Sequence, residues 1–338
     1  MRRARRALAL ALACMAAAAA AGAAAESQAR TPPRAPAAAL PTARLSLGPG
    51  ERLLIVAPHP DDEVLCCAGL ALRAIAAGAQ VSVVWVTSGD AFELDALLVE
   101  RTLPGHQAMR KLASDRMREA QAATTLLGIP AGQRWFLGYP DRGIRRLLTD
   151  FYARPYTSKY TGASAVPYDN ALAPGTAYEG HRLEYDLGTV IDTVRPTLVL
   201  APSPLDRHRD HGAVGDLVLR LMSRRAAADS VRYWIVHAGR TWPAPRRYAP
   251  TAGLTPPPAT LSLDWSTVPL QVNERDAKLA ALRLYRSQWR IMEPFLASFV
   301  RQNELFAALS YPPETSPPRF ERDAVTQPAA ATPGSLLP

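Results

Sequence analysis

Short, continuously apolar runs alternate along this chain with longer stretches in which apolar residues recur every three or four positions. The runs lie at 52–57 (RLLIVA), 81–87 (VSVVWVT), 134–137, 197–201 (TLVLA) and 233–236 (YWIV). Helical periodicity fills the gaps at 64–77, 108–127, 183–194 and 213–222. Strands without polar alternation, separated by helix-length segments, predict an α/β, Rossmann-like fold with a mostly parallel sheet and helices on both faces. In such sheets functional groups gather in the loops at the carboxyl ends of the strands.

Two regions depart from this rhythm. Residues 141–180 show little periodicity and carry Tyr152, Tyr156, Tyr160, Tyr168 and Tyr178. A loop that long is usually functional or disordered. Its aromatics, with Trp242, read equally as a platform for sugar rings and as a cap packed on the sheet. Beyond Asn273, the residues Leu279, Leu282, Trp289, Met292, Leu296 and Phe299 keep a three-to-four spacing interrupted by Pro294. This predicts two consecutive amphipathic helices packed on the core.

With 338 residues, 48% of them apolar and 20% charged, the chain can bury one large domain, expected at 49–311. Residues 26–48, rich in Pro, Ala and Ser or Thr, are expected to be a disordered tether, and 312–338 a tail of the same kind. Ahead of the tether, Arg2, Arg3, Arg5 and Arg6 precede an uncharged, Ala- and Leu-dominated run that ends in Ala23-Ala24-Ala25. A basic start, an apolar middle and small residues at the end describe a secretory signal peptide over 1–25, hence an exported, periplasmic or extracellular protein. Membrane contact would follow only from an uncleaved anchor, or from lipidation at Cys14 in Ala11-Leu12-Ala13-Cys14.

The formal charge of +9 is partly this leader's; without residues 1–25 there remain 35 basic against 30 acidic side chains, or +5, in no long block. That argues against a nucleic-acid partner. Outside the leader the only cysteines are the neighbours Cys66 and Cys67, which read as packing residues because adjacent cysteines seldom pair.

The first run ends in Pro58-His59-Pro60-Asp61-Asp62-Glu63, directly before a helix. Ionisable side chains at the end of a buried strand are costly unless something binds them, and a divalent metal is the simplest partner. His59 and Asp62 offer a nitrogen and an oxygen suited to zinc, and Asp61 would be left to take a proton from water. Alone, the run reads equally as an ordinary helix start with Asp61 or Asp62 as N-cap. The run at 197–201 leads into a second loop of the same residue types, Asp206-Arg207-His208-Arg209-Asp210-His211. Two strand-end loops can meet at one sheet edge, and His208 and His211, three apart, can share a helix face.

These residues resemble the PIG-L or LmbE-like zinc-dependent deacetylases, which hydrolyse N-acetyl groups of glucosamine-containing substrates. The family's PHPDDE motif stands at Pro58 to Glu63 and its HxDH motif at His208-Arg209-Asp210-His211. Thr87 to Phe92, Leu137 to Asp141 and Tyr156 to Tyr168 extend the resemblance over most of residues 52–310. It implies that His59, Asp62 and His211 bind Zn2+ or another divalent first-row metal. It also implies that Asp61 is the general base, and that His208, oriented by Asp210, stabilises the oxyanion or protonates the leaving amine.

Two features depart from the family pattern. The helix after the second strand commonly holds an arginine followed three residues later by glutamate, whereas Arg118 is followed by Gln121. Some members have tyrosine two residues before the HxDH motif, where this chain has Asp206. Arg118, Asp90 and Asp141 are candidate substrate-binding residues, although Asp90 and Asp141 fit turn formation as well. His106, His181 and His237 have no partner cluster and read as loop or packing residues. The expected substrate is an N-acetylated sugar or glycan, with no stable protein partner implied. A deacylase of a non-sugar amide natural product and a catalytically silent carbohydrate-binding protein of the same fold are the alternatives. The intact ligand set and base weigh against the silent protein. A nucleotide-binding Rossmann protein is set aside because no G-x-G-x-x-G follows the first run.

Overall fold

Each apolar run becomes a strand that needs cover on both faces: β1 (Arg52–Ala57), β2 (Gln80–Thr87), β3 (Arg134–Tyr139), β4 (Leu198–Pro202) and β5 (Val231–Trp234). Two further strands, β6 (Asp264–Pro269) and β7 (Asn303–Ala308), complete the sheet. The structure, a computed structural model, describes residues 40–92 and 105–309; within them the strand order is β3-β2-β1-β4-β5-β7-β6. β1 to β5 are parallel, and β7 is antiparallel to both β5 and β6. The expected α/β architecture is present.

Helices α1 (Asp62–Ala76), α2 (His106–Leu126), α6 (Val272–Arg283) and α7 (Arg286–Ala297) pack on one another, as do α3 (Ile144–Leu147), α4 (Gly180–Val194) and α5 (Arg209–Arg224). Between these two layers the strands are sealed; Leu54, Val56, Val84 and Leu200 are fully buried. Because β1 lies between β2 and β4, the chain leaves β1 toward one side of the sheet and later fills the other. That reversal opens a crevice at the carboxyl ends of β1 and β4, the place where open α/β sheets receive ligands.

The strands that the apolar pattern does not predict have physical reasons for hiding. β6 (DWSTVP) buries only Trp265 and Val268 fully, and β7 (NELFAA) follows a helical period without a turn signal. The break between the last two helices also falls elsewhere: Leu284 and Tyr285 separate α6 from α7, and Pro294 lies inside α7, where Met292 leaves helical geometry. Residues 41–43, assigned by composition to the tether, instead pair with β6, Thr267 donating to Pro41 O at 2.9 Å and Ala43 donating to Thr267 O at 2.8 Å. The expected signal peptide and tail lie outside the described residues.

Residues 141–180 pack as a cap. Tyr156, Tyr160, Tyr168 and Tyr178 are buried, and Trp242 is buried with its indole N–H on Thr255 O, so these side chains are not an open platform. Cys66 and Cys67 are buried in α1 as expected, but they are bonded to each other as a disulfide rather than held as thiols.

Candidate active site

β1 delivers its loop directly into α1. Asp61 occupies the N-cap position with φ 121° and ψ −29°, and its carboxylate makes no capping hydrogen bond. An ordinary helix start therefore does not account for it. Such a conformation costs on the order of 1–3 kcal/mol for a non-glycine residue and persists only where the surroundings fix it.

The loop after β4 brings the second motif to the same edge. His59 Nδ1 lies 3.2 Å from Asp62 Oδ2 and 3.1 Å from His211 Nε2, and His211 Nε2 lies 3.2 Å from Asp62 Oδ2. Ligands of a tetrahedral ion at about 2.0–2.1 Å are roughly 3.3 Å apart, so this triangle fits a zinc-sized cation with a fourth position open. Its chemistry fits too, with two imidazole nitrogens and one carboxylate oxygen. The other ring nitrogens also face carboxylates: His59 Nε2 is 3.2 Å from Asp141 Oδ1, and His211 Nδ1 is 3.3 Å from Asp206 Oδ2. Carboxylates behind ligating imidazoles fix the tautomer and the ring orientation.

Charge is concentrated in a dry place. Burial opposes an ionised Asp62, but His211 and His59 beside it hold its carboxyl well below the usual range. Burial opposes a charged His211 as well, yet Asp62 and Asp206 raise it to about 9. At His208 burial and the charge of His59 and His211 outweigh the opposing pull of Asp141 and press it down to about 2. Its Nδ1 is buried and has no hydrogen-bond partner among the described residues. Burial and the charge of Asp62 push Asp61 well above the ordinary carboxyl range, while Arg116, with Nη2 4.0 Å from Asp61 Oδ2, acts the other way.

Several expected partners are arranged differently. Asp210 does not orient His208: its carboxylate accepts the N–H groups of Arg142 at 2.5 Å and Ile144 at 3.3 Å, and Oδ2 lies 3.5 Å from His59 Nε2. Asp206, noted only as a departure from the family pattern, ties the loops after β4 and β5 together. It accepts the N–H of His208 at 2.8 Å, of Val236 at 2.9 Å and of His237 at 3.0 Å, besides facing His211. Asp141 stands at the donor set, whereas Asp90 is fully buried behind it, accepting Asp141 N–H and the Tyr168 hydroxyl, each at 2.9 Å. Asp90 thus supports Asp141 from a fully buried position.

Arg118 is a surface residue of α2, paired with Asp115 and 68% exposed in its side chain. The arginine in the site is Arg116, which is 5% exposed and donates to Gly89 O and Pro60 O at 2.9 Å each. A Cβ at Gly89 would overlap its guanidinium, which explains a glycine there. The signal was present: Arg116 is followed three residues later by Glu119, and it shares a helix face with the buried Leu112 and Ala120. His237 is likewise not a remote packing residue. It follows β5 as His59 follows β1, and its ring centroid lies 4.7 Å from that of His211 and 5.1 Å from that of His208.

Fold and site define a doubly wound α/β protein with side chains able to hold a metal ion at the carboxyl edge of its sheet. Residues 54–222, half of the chain, match the PIG-L family (GlcNAc-PI de-N-acetylase), and the protein belongs to that family. It is 27% identical over 254 residues to the 1D-myo-inositol 2-acetamido-2-deoxy-alpha-D-glucopyranoside deacetylase of Actinosynnema mirum, covering 70% of this chain and 80% of the relative. A protein of the same description from Nakamurella multipartita is 30% identical over 229 residues, covering 62% and 66%. Among solved structures, the N,N'-diacetylchitobiose deacetylase of Pyrococcus horikoshii is similar with a TM-score of 0.47 and 19% identity, covering 76% of this chain and 82% of that one.

Proposed function

We propose that this protein is an exported, metal-dependent amide hydrolase that removes the N-acetyl group from an N-acetylglucosamine-type sugar in a glycan or glycolipid. The observation that carries this reading is the triangle of His59 Nδ1, Asp62 Oδ2 and His211 Nε2, beside a buried Asp61 that touches none of those atoms within hydrogen-bond reach. The family and its named deacetylase relatives support the sugar amide as substrate.

When bound by these three residues, a zinc or similar divalent ion supplies a Lewis acid that polarises the acyl oxygen and lowers the pKa of water. Asp61 takes the proton of the attacking water and holds it until the C–N bond breaks. The same carboxyl then returns it to the departing amine, so a free amino sugar and acetic acid leave, the latter passing its proton to the amine or to solvent to become acetate, and the site is restored. His208, kept neutral by its surroundings, donates a hydrogen bond to the acyl oxygen as negative charge grows there. Arg116 steadies the Asp61 carboxylate, and Asp141 and Asp206 hold the imidazoles of His59 and His211 in register.

The test is metal content of the purified protein by elemental analysis, paired with amine release from N-acetylglucosamine oligosaccharides before and after chelation. About one metal per chain with chelator-sensitive release is expected. Metal without release would redirect the reading to non-sugar amides, and a metal-free, inactive protein would favour a silent carbohydrate-binding one. Export is checked by N-terminal sequencing from the cell envelope, where the chain should begin near Glu26; an intact Met1 would refute it.

A further inference from the structure

The strained backbone of Asp61 is held by the two peptide planes that flank its Cα. The Asp61–Asp62 plane is held locally: Asp61 O accepts the N–H of Val64 at 3.0 Å and of Leu65 at 2.9 Å, and Asp62 N–H reaches His59 O at 3.3 Å. The Pro60–Asp61 plane is held from afar. Its carbonyl accepts Arg116 Nη2 and Gln288 Nε2, each at 2.9 Å, and its N–H donates to Glu63 Oε2 at 3.2 Å. Glu63 in turn is fixed by the Trp85 indole N–H at 2.9 Å and by the Tyr285 hydroxyl.

Tyr285 and Gln288 sit at the junction of α6 and α7, are fully buried, and lie outside the residues that match the family. Apolar side chains would pack such a junction without the desolvation that a phenol and a primary amide incur. The junction is also tied to α2, because Ser287 N–H donates to Glu119 Oε1 at 2.9 Å, one helical turn beyond Arg116. One helix thus anchors both clamps on the Pro60 carbonyl.

We infer that Tyr285 and Gln288 are positioning residues for Asp61, clamping the Pro60–Asp61 peptide from the C-terminal helices so that the carboxylate keeps the angle its proton transfer needs. This rests on the reading of Asp61 as the base. The direction of Cβ at residue 61 follows from φ, and φ is set once both planes are immobile. Releasing one plane lets the backbone relax toward an ordinary helix cap and turns the carboxylate away, while His59, Asp62 and His211 keep their own supports.

The experiment uses the full-length, metal-loaded protein with Gln288→Met, which keeps length and loses the donor, with Tyr285→Phe, and with Asp61→Asn in parallel. Each variant is measured for metal per chain, thermal midpoint, kcat and KM on an N-acetylglucosamine oligosaccharide. Expected for the two clamp variants is a kcat about 10–100-fold lower, the scale of an ångström of misplacement, with KM and metal content unchanged. Wild-type kcat in both clamp variants beside an inactive Asp61→Asn would overturn the inference and leave the base reading standing. An active Asp61→Asn would overturn that reading itself. A fall in kcat that only tracks lost metal or lost folded protein would assign the two residues a structural role and overturn the positioning role.

Discussion

Residues 54–222 place most of the ionisable groups of the site on loops that follow strands directly, whereas residues 272–304 reach the first of those loops and α1 through buried polar side chains of the C-terminal helices and β7. In the first region His59, Asp61 and Asp62 follow β1 and His208 to His211 follow β4, so sheet topology alone makes them neighbours. In the second region Lys278 and Glu304, each about 1% exposed, form an ion pair at 2.7 Å, and Glu304 also accepts the N–H groups of Gly69 and Leu70 in α1 at 2.9 Å. Tyr285 and Gln288 then reach across to the β1 loop. The comparison teaches that strand-end motifs can be brought together by topology while the peptide that carries one of them is held from elsewhere, by residues whose own pattern looks like helix surface.

The sharpest separation between the regions should be in metal binding. His211→Ala is expected to strip the metal and reduce turnover to that of the chelated protein, and Asp206→Asn to lower metal affinity about 10–100-fold. Elemental analysis and metal titration check both, and full retention in His211→Ala would refute the donor triangle. The next effect is on stability. Lys278→Ala leaves Glu304 buried without its cation and should cost about 3–5 kcal/mol in denaturant unfolding, with metal per folded chain unchanged; a loss of metal at full stability would contradict the division of labour.

The smallest effect should come from Arg118, the arginine expected from the sequence to bind substrate. Arg118→Ala lies on an exposed helix face and should change stability by no more than about 0.5 kcal/mol, with kcat unaltered. The same substitution at Arg116 removes a donor from the Pro60 carbonyl and the cation beside Asp61, and should lower kcat at unchanged metal content. Equal behaviour of the two variants would refute the placement of Arg116 in the site.

Much of this was legible in the chain. The five parallel strands and four of the helices announce themselves because burial on both faces demands continuous apolar runs, and α1, α2, α4 and α5 each keep an apolar stripe. The two motifs are legible because several ionisable residues at a strand end are too costly to be incidental. Arg116 and His237 were within reach of the same reasoning, through helix-face phase and strand-end position. β6, β7 and the α6–α7 junction were not, because their buried residues include Glu274, Lys278, Tyr285, Gln288 and Glu304, and polarity marks a residue as exposed until its partner is known.

Sequence by itself determined the layered fold and the two ionisable motifs that meet at one sheet edge, since periodicity and residue chemistry are local properties. Only the tertiary structure decided that Asp206 faces His211 while Asp210 accepts the Arg142 and Ile144 N–H groups, that Asp90 lies buried behind Asp141, and that the C-terminal helices reach the Pro60 carbonyl and Glu63. Each of those outcomes depends on which hydrogen-bond donor meets which acceptor across tens to hundreds of residues, and a side chain's own neighbours in sequence carry no record of that meeting.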